Sequence, residues 1–96
     1  MHYDRDSCQK EADVFKALGH PARLWMVNQL ADRQEHCVCD FVEALPLEYA
    51  TVSKHLSVLK NAGVVVNEKR GKNIFYRLSC QCVIGFIACL RNHHPA

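Results

Sequence analysis

The chain has 96 residues, 49% of them hydrophobic and 23% charged, with a net charge of +2, which is the balance of one small globular domain spanning residues 1–96. It contains no apolar run long enough to cross a bilayer, and its charged N-terminus lacks the apolar core of a signal peptide. We therefore expect a cytoplasmic protein without a membrane partner, in which the six cysteines act as metal ligands or redox thiols rather than as a disulfide framework.

Helical periodicity predicts three helices in the first half of the chain. The first covers residues 7–18, with Ser7 as its N-cap. Pro21 opens the second helix, because a proline in the first turn lacks only an N–H that would be unpaired there anyway. The third helix begins within residues 37–40, and Pro46 ends it.

The fourth helix, over residues 50–63, is the element on which the rest of the fold depends. Val52, Leu56 and Leu59 recur at i, i+4 and i+7 and so share one face. Small, polar or basic residues occupy the opposite face, namely Ala50, Lys54, Ser57 and Asn61. Gly63 follows the last periodic residue, where helices often end in the left-handed conformation. Such a helix can pack on a core through one face and present the other to a polyanion.

After the fourth helix the pattern changes to β-strand. Residues 64–66 are all valine and residues 74–78 alternate in polarity, so the polar segment 67–73 between them predicts a hairpin with a basic tip. An apolar final helix is expected over residues 82–90. The predicted fold class is therefore mainly α with a β-hairpin wing, in the order helix, helix, helix–turn–helix, hairpin, helix.

Charge divides the chain in the same way. Residues 1–53 carry five basic and nine acidic side chains, a net −4, whereas residues 54–78 carry six basic and one acidic, a net +5. A helix fits the major groove of DNA, and basic residues on a hairpin can reach phosphates. The sequence thus indicates a winged helix–turn–helix for duplex DNA, although a solvated basic face would have the same composition. The residues expected at the DNA are Thr51, Ser53, Lys54, Ser57, Lys69, Arg70 and Lys72.

Four segments, in this order, resemble the ArsR/SmtB family of metal-responsive repressors. They are FKALGHPARLWMVNQL, EHCVCDF, VSKHLSVLKNAGVV and KRGKNIFYRLS, which together cover roughly residues 12–79. The resemblance implies a dimeric repressor that leaves its operator DNA when a metal or metalloid binds. An enzyme is not expected, because the chain has neither a Gly-rich phosphate loop nor a convincing nucleophile–base set. We expect a homodimer built on the first and last helices, since residues 82–90 are too apolar for a lone exposed helix.

The expected inducer ligands are Cys37 and Cys39. Thiolates select soft or borderline ions, and the resemblance favours trivalent arsenic or antimony, with cadmium, lead or zinc as alternatives. Residues two apart in a helix point about 200° away from each other, so both thiolates can face one ion only if the backbone departs from a helix here. Chelation would then reshape the start of the third helix and move the fourth helix, which is the recognition helix of the helix–turn–helix.

The source of a third thiolate stays open. Arsenic-responsive members carry a third cysteine at the position that Val42 occupies in this chain. A third ligand must therefore be a small-molecule thiol or one of the remaining cysteines, Cys8, Cys80, Cys82 and Cys89. In an antiparallel dimer, Cys82 of one chain could approach Cys89 of the other, or both could simply be packed at the interface.

A second class of function also stays open. Six thiols suit a redox or reactive-sulfur sensor whose cysteines join through sulfur, and the acidity of the thiols would decide between this and metal binding. The two histidines near the C-terminus, His93 and His94, are expected to be solvated rather than ligands.

Overall fold

The computed structural model describes residues 1–93, so the expectation for His94 lies outside the described residues. Within them the α-helices are α1 (Gln9–Leu18), α2 (Pro21–Gln29), α3 (Val38–Ala44), α4 (Tyr49–Asn61) and α5 (Cys82–Asn92). The strands are β1 (His36–Cys37), β2 (Val65–Arg70) and β3 (Asn73–Leu78), and short 3₁₀ turns cover Arg5–Cys8 and Ala31–Arg33. The three strands form an antiparallel sheet in the order β1–β3–β2. The predicted class, mainly α with a β-hairpin wing, is confirmed.

Helix α4 lies on the core through the predicted face. Val52, Leu56 and Leu59 have no exposed surface, and they pack with Phe41 of α3 and Leu30 at the end of α2. Burying each of these side chains contributes about 1.5–3 kcal/mol. The opposite face is exposed, as predicted for Ala50, Lys54, Ser57 and Asn61. One face of α4 is therefore packed on the core, and its polar face is exposed to solvent.

The structure corrects one local prediction in the first half of the chain and adds a strand to it. Ser7 is not an N-cap; Asp4 caps the 3₁₀ turn instead, since its carboxylate accepts a hydrogen bond from the Asp6 N–H at 3.1 Å. Helix α3 begins at Val38, within the predicted residues 37–40, and Cys37 just before it belongs to β1, where it pairs with Phe75 of β3. The sheet thus gains a short third strand, which joins the start of α3 to the wing.

The hairpin turn is shorter than the polar segment 67–73 that was predicted for it. Strand β2 continues to Arg70, and β3 begins at Asn73, directly opposite. Only Gly71 and Lys72 form the turn, and Gly71 has a φ of 61°, which suits the tight turns that match the twist of the strands. Polar side chains continue in the strands because this end of the hairpin projects beyond the core into solvent.

Helix α5 forms where it was predicted and packs through Ile87, whereas much of its apolar surface remains exposed. Phe86 is 45% exposed and Leu90 59% exposed, beside Phe15 of α1 at 56%. Within residues 1–93 no helix has both the length and the apolar character needed to cross a membrane.

Candidate metal and DNA-binding sites

The backbone at Cys37 brings the two motif cysteines together. Cys37 has φ −78° and ψ 165°, an extended conformation, and α3 begins at the next residue. Cys39 lies in the first turn of that helix. The departure from helical geometry that one-ion chelation requires is therefore present, and the structure joins the two Sγ atoms as a disulfide.

Asp40 completes a compact donor group with the two cysteines. One sulfur or carboxylate oxygen from each of Cys37, Cys39 and Asp40 lies within 4.8 Å of the others. The Asp40 N–H donates to Cys37 Sγ at 3.1 Å, and Asp40 Oδ2 accepts from the Cys37 N–H at 3.2 Å, so the pair forms a capping box for α3. Oδ2 also lies 3.0 Å from His36 Nδ1. Cys37 therefore has a structural role as an N-cap in addition to its candidate ligand role.

No third thiol reaches this donor group within the described part of one chain. The four other cysteines are exposed, with Cys8 before α1 and Cys89 on α5. Cys80 and Cys82 form a second pair instead, with their Sγ atoms 2.6 Å apart and the Cys82 N–H directed at Cys80 Sγ at 3.4 Å. The hydrogen bond between the thiols lowers the pKa of Cys80 and raises the pKa of Cys82. Among the described residues, the structure thus contains two close cysteine pairs and no group of three.

The residues predicted at the DNA lie on two exposed surfaces. On α4, Thr51, Lys54 and Ser57 are exposed and Ser53 is partly buried; on the wing, Lys69, Arg70 and Lys72 are all exposed. Among the described residues no carboxylate lies within 4 Å of the ammonium groups of Lys54, Lys69 or Lys72. These three lysines are available to phosphates.

Arg70 differs from the lysines because its guanidinium already has partners. Its Nη2 atom lies 2.8 Å from the Glu35 carboxylate and 3.0 Å from that of Glu68. The guanidinium also lies 4.9 Å from the ring centroid of Phe75. The hydrogen bond from Arg70 lowers the pKa of Glu68, although both side chains are exposed and the contribution to stability is small. Arg70 therefore links the wing to the segment just before β1.

A histidine pair joins α4 to the α1–α2 corner. His20 caps α2 through Nδ1, which accepts from the Ala22 N–H at 3.1 Å, and its ring lies 4.5 Å from that of His55. Arg23 approaches His55 Nδ1 at 3.2 Å and donates through Nε to the Ala17 carbonyl at 2.6 Å. Burial, followed by the charges of His20, Arg23 and Lys54, lowers the pKa of His55. This cluster positions the recognition helix.

Comparison with known proteins decides the family. A model described as "Bacterial regulatory protein, arsR family" matches residues 20–66. An uncharacterized HTH-type transcriptional regulator of Methanocaldococcus jannaschii is 41% identical over 68 residues, which are 71% of this chain and 76% of that protein. This chain belongs to the ArsR family. It is a DNA-binding transcriptional repressor of the ArsR/SmtB type and not an enzyme, as predicted.

Relatives of this ArsR-family repressor are named for different metals. The arsenical resistance operon repressor of Escherichia coli is 39% identical over 66 residues, covering 69% of this chain and 56% of that protein. A Staphylococcus aureus homolog of the cadmium resistance regulatory protein CadC is 40% identical over 67 residues, covering 70% and 55%. This chain therefore aligns with only a little more than half the length of either relative, and their names leave the inducer of this protein open.

Solved structures support the fold. HlyU from Vibrio cholerae superposes with a TM-score of 0.79 at 29% identity, covering 94% of this chain and 96% of that one. A homodimeric winged helix–turn–helix DNA-binding domain from Mycobacterium bovis, a possible ArsR-family regulator, gives a TM-score of 0.78 at 26% identity, covering 100% and 97%. The predicted winged helix–turn–helix is confirmed.

Some site residues in this ArsR-family repressor were not found by sequence reasoning. Asp40 could have been found, because a polar residue three positions after a cap is the spacing of a capping box. Glu35 gave no such signal, since its partner Arg70 is 35 positions away and only the sheet brings them together. The pairing of His20 with His55 was missed for the same reason.

Proposed function

We propose that this repressor binds operator DNA as a homodimer and releases it when a thiophilic metal or metalloid binds the reduced thiolates of Cys37 and Cys39. Trivalent arsenic or antimony is the first choice of inducer, with cadmium, lead or zinc as alternatives. The observation that carries the proposal is the extended backbone at Cys37, which holds both sulfurs on one side. Soft sulfur donors suit these ions, and relatives named for arsenical and for cadmium resistance agree with that range.

The location of the thiol pair explains how a ligand could act on DNA binding. Cys37 lies at the junction of β1 and α3. On one side, α3 packs against the recognition helix, and Phe41 belongs to the same buried core as Leu56 and Leu59. On the other side, β1 pairs with β3 of the wing. An ion that takes Cys37 Sγ as a ligand also competes with the Asp40 N–H that the sulfur accepts. Ligand binding can shift the protein only by its difference in affinity between the two conformations.

For DNA contact we assign Thr51, Ser53, Lys54 and Ser57 to the recognition helix and Lys69, Arg70 and Lys72 to the wing. The absence of carboxylate partners for the lysines, within residues 1–93, supports their role with phosphates. Arg70 has a second role in this scheme, because its ion pair with Glu35 connects the wing to the strand that carries Cys37.

The dimer is assigned to α1 and α5. The Phe15 and Phe86 rings stack edge to face with centroids 5.5 Å apart and, together with Leu90, form an exposed apolar surface. Such surfaces mark interaction sites, and the Mycobacterium bovis structure is homodimeric. Cys8, Cys80, Cys82 and Cys89 remain candidates for a third ligand supplied across this dimer. A monomeric mass at micromolar concentration in reducing buffer would contradict the assignment.

The test of the inducer site compares the Cys37–Cys39 pair with the second CxC pair, Cys80 and Cys82. Operator binding by fully reduced protein is followed by fluorescence anisotropy while arsenite is added. The Cys37→Ser, Cys39→Ser variant should bind operator normally and fail to release it. The Cys80→Ser, Cys82→Ser variant should release it like the wild type if neither residue supplies the third ligand. Normal release by the first variant would refute the proposal, and loss of release only in the second would move the site to the start of α5.

A second candidate function is favoured by one observation, the disulfide that joins Cys37 and Cys39. A redox or reactive-sulfur sensor would release DNA when this bond forms. Addition of peroxide or a persulfide to metal-free reduced protein distinguishes the two functions. Release under these conditions, reversed by reductant and absent in the Cys39→Ser variant, would favour the redox function over metal binding.

A further inference from the structure

The number of thiols at the inducer site restricts the chemical form of the arsenic it suits. Trivalent arsenic forms three bonds, so inorganic arsenite is fully bound by three thiolates. The donor group offers two sulfurs, from Cys37 and Cys39, and no third thiol within 4.8 Å among residues 1–93 of one chain. An arsenical that carries one carbon substituent has two exchangeable positions, which is the number of thiolates the site provides.

The third donor in the group is a poor substitute for a thiolate. Asp40 offers a hard carboxylate oxygen, which matches soft arsenic badly. Its Oδ2 atom already accepts the Cys37 N–H at 3.2 Å and lies 3.0 Å from His36 Nδ1. Using that oxygen as a ligand would break the capping box at the start of α3. The third position on arsenic is therefore better filled by a group that needs no protein ligand.

A cavity beside the donor group can receive such a substituent. Its volume is about 380 Å³, and its wall includes Asp40 and His36, which flank the two cysteines in the chain. Trp25, Phe41 and Ala44 provide the apolar part of the lining, and Gln29 and Glu43 add polar groups. The Trp25 and Phe41 ring centroids are 6.4 Å apart and nearly perpendicular, and Trp25 is 37% exposed. Aromatic walls of this kind favour a flat apolar group at edge-to-face or stacked distances.

We propose that the inducer best suited to this site is a monosubstituted trivalent organoarsenical, with an aryl substituent favoured over methyl. The inference rests on the proposed function of Cys37 and Cys39. In the binding step the two thiols replace the two hydroxyls of the arsenical. Two As–S bonds form, two As–O bonds break and two molecules of water leave with the thiol protons. The As–C bond stays intact, no electrons are transferred, and the substituent lies in the cavity against Trp25.

Trp25 is the only tryptophan in the chain, so its fluorescence reports directly on the cavity. Fully reduced protein, kept in a thiol-free phosphine reductant, is titrated with phenylarsine oxide, methylarsonous acid and arsenite, and both Trp25 emission and operator release are recorded. We expect phenylarsine oxide to quench Trp25 and to release the operator at a concentration at least tenfold below that for arsenite. The methyl compound should lie between them.

Two variants separate the cavity from the thiols. Trp25→Ala should reduce the preference for phenyl over methyl several-fold without changing the arsenite midpoint. Tyr3→Ala, which removes an exposed aromatic side chain that does not line the cavity, should change neither. The inference is overturned if arsenite acts at the same or lower concentration than phenylarsine oxide, or if Trp25 emission does not respond. Because emission is measured on the wild type, a Trp25→Ala variant that fails to fold does not prevent the test.

The outcomes also distinguish this inference from the proposed function. If all three arsenicals release the operator equally and all require Cys37 and Cys39, the preference is wrong and the inducer site stands. If none of them requires Cys37 or Cys39, both are wrong.

Discussion

The capping role of Cys37 leads to a prediction that separates folding from inducer binding. Cys37 is only 5% exposed, and its sulfur accepts the Asp40 N–H at 3.1 Å. Replacement by alanine removes this acceptor, and loss of an N-cap side chain costs about 1 kcal/mol, within a range of about 0.5–2. Serine keeps an acceptor at the same position and is among the strongest N-cap residues. Cys37→Ala should therefore be about 1 kcal/mol less stable than Cys37→Ser.

For a domain of this size, a difference of about 1 kcal/mol shifts the melting temperature by about 4–8 °C. The assay is thermal unfolding by circular dichroism in reductant, at one fixed protein concentration because dimerisation makes stability concentration-dependent. Cys39 provides the matched pair, since it is exposed and caps nothing. Cys39→Ala and Cys39→Ser should agree within about 0.5 kcal/mol. Equal stability of the two Cys37 variants, or an equal gap at Cys39, would refute the capping argument. If the capping argument is correct, assays of the inducer site should use serine variants, because serine keeps the N-cap acceptor.

Three further predictions concern the DNA-binding surface of the wing and the recognition helix. Lys72→Ala should reduce the slope of log affinity against log salt by about one phosphate contact per subunit. Arg70→Ala should reduce the slope less, because the Arg70 guanidinium is already paired with Glu35. Equal slopes for the two variants in anisotropy titrations would contradict this difference. Gly63 has a φ of 82°, so Gly63→Ala should destabilise the protein by about 1 kcal/mol in urea unfolding, and an unchanged midpoint would show the turn to be unstrained. The pKa of His55 is lowered in the folded protein, so as the pH falls the unfolded chain protonates His55 before the folded protein does. The stability present above pH 6.5 is therefore lost as the pH falls below about 6.5. His55→Gln should lose less stability between pH 7.5 and pH 5 than the wild type, and an identical loss would exclude His55 as the cause.

Much of this fold could be predicted from the sequence because it depends on local patterns. The apolar spacing of Val52, Leu56 and Leu59 defines one face of α4 whatever the helix packs against, and all three are fully buried. Pro21 begins α2 and Gly63 adopts the left-handed conformation for reasons contained in their own backbones. The same holds for the resemblance to the ArsR family, which depends on the order of four segments along the chain.

The sequence predicted the donor residues of the candidate inducer site but not the backbone conformation that brings them together. The CxC motif identified Cys37 and Cys39, and helical geometry stated the condition under which both could face one ion. Whether the condition is met depends on β1, a strand of two residues that exists because β3 offers it a partner about 40 positions away. A segment this short has no β-pattern of its own, so the pairing, and with it the extended backbone of Cys37, is decided by tertiary structure.

Partners distant in the chain were likewise beyond the sequence. From the sequence alone, Arg70 is one more basic residue of the wing. Its ion pair with Glu35 forms only because the hairpin packs alongside β1. The cavity beside Asp40 is similar, because Trp25 comes from α2 and Ala44 from α3. Periodicity reports which residues face inward from one element, but the space between two elements depends on how they pack. The sequence by itself thus determined the elements and the donor atoms, whereas their distances and the room beside them were decided by packing.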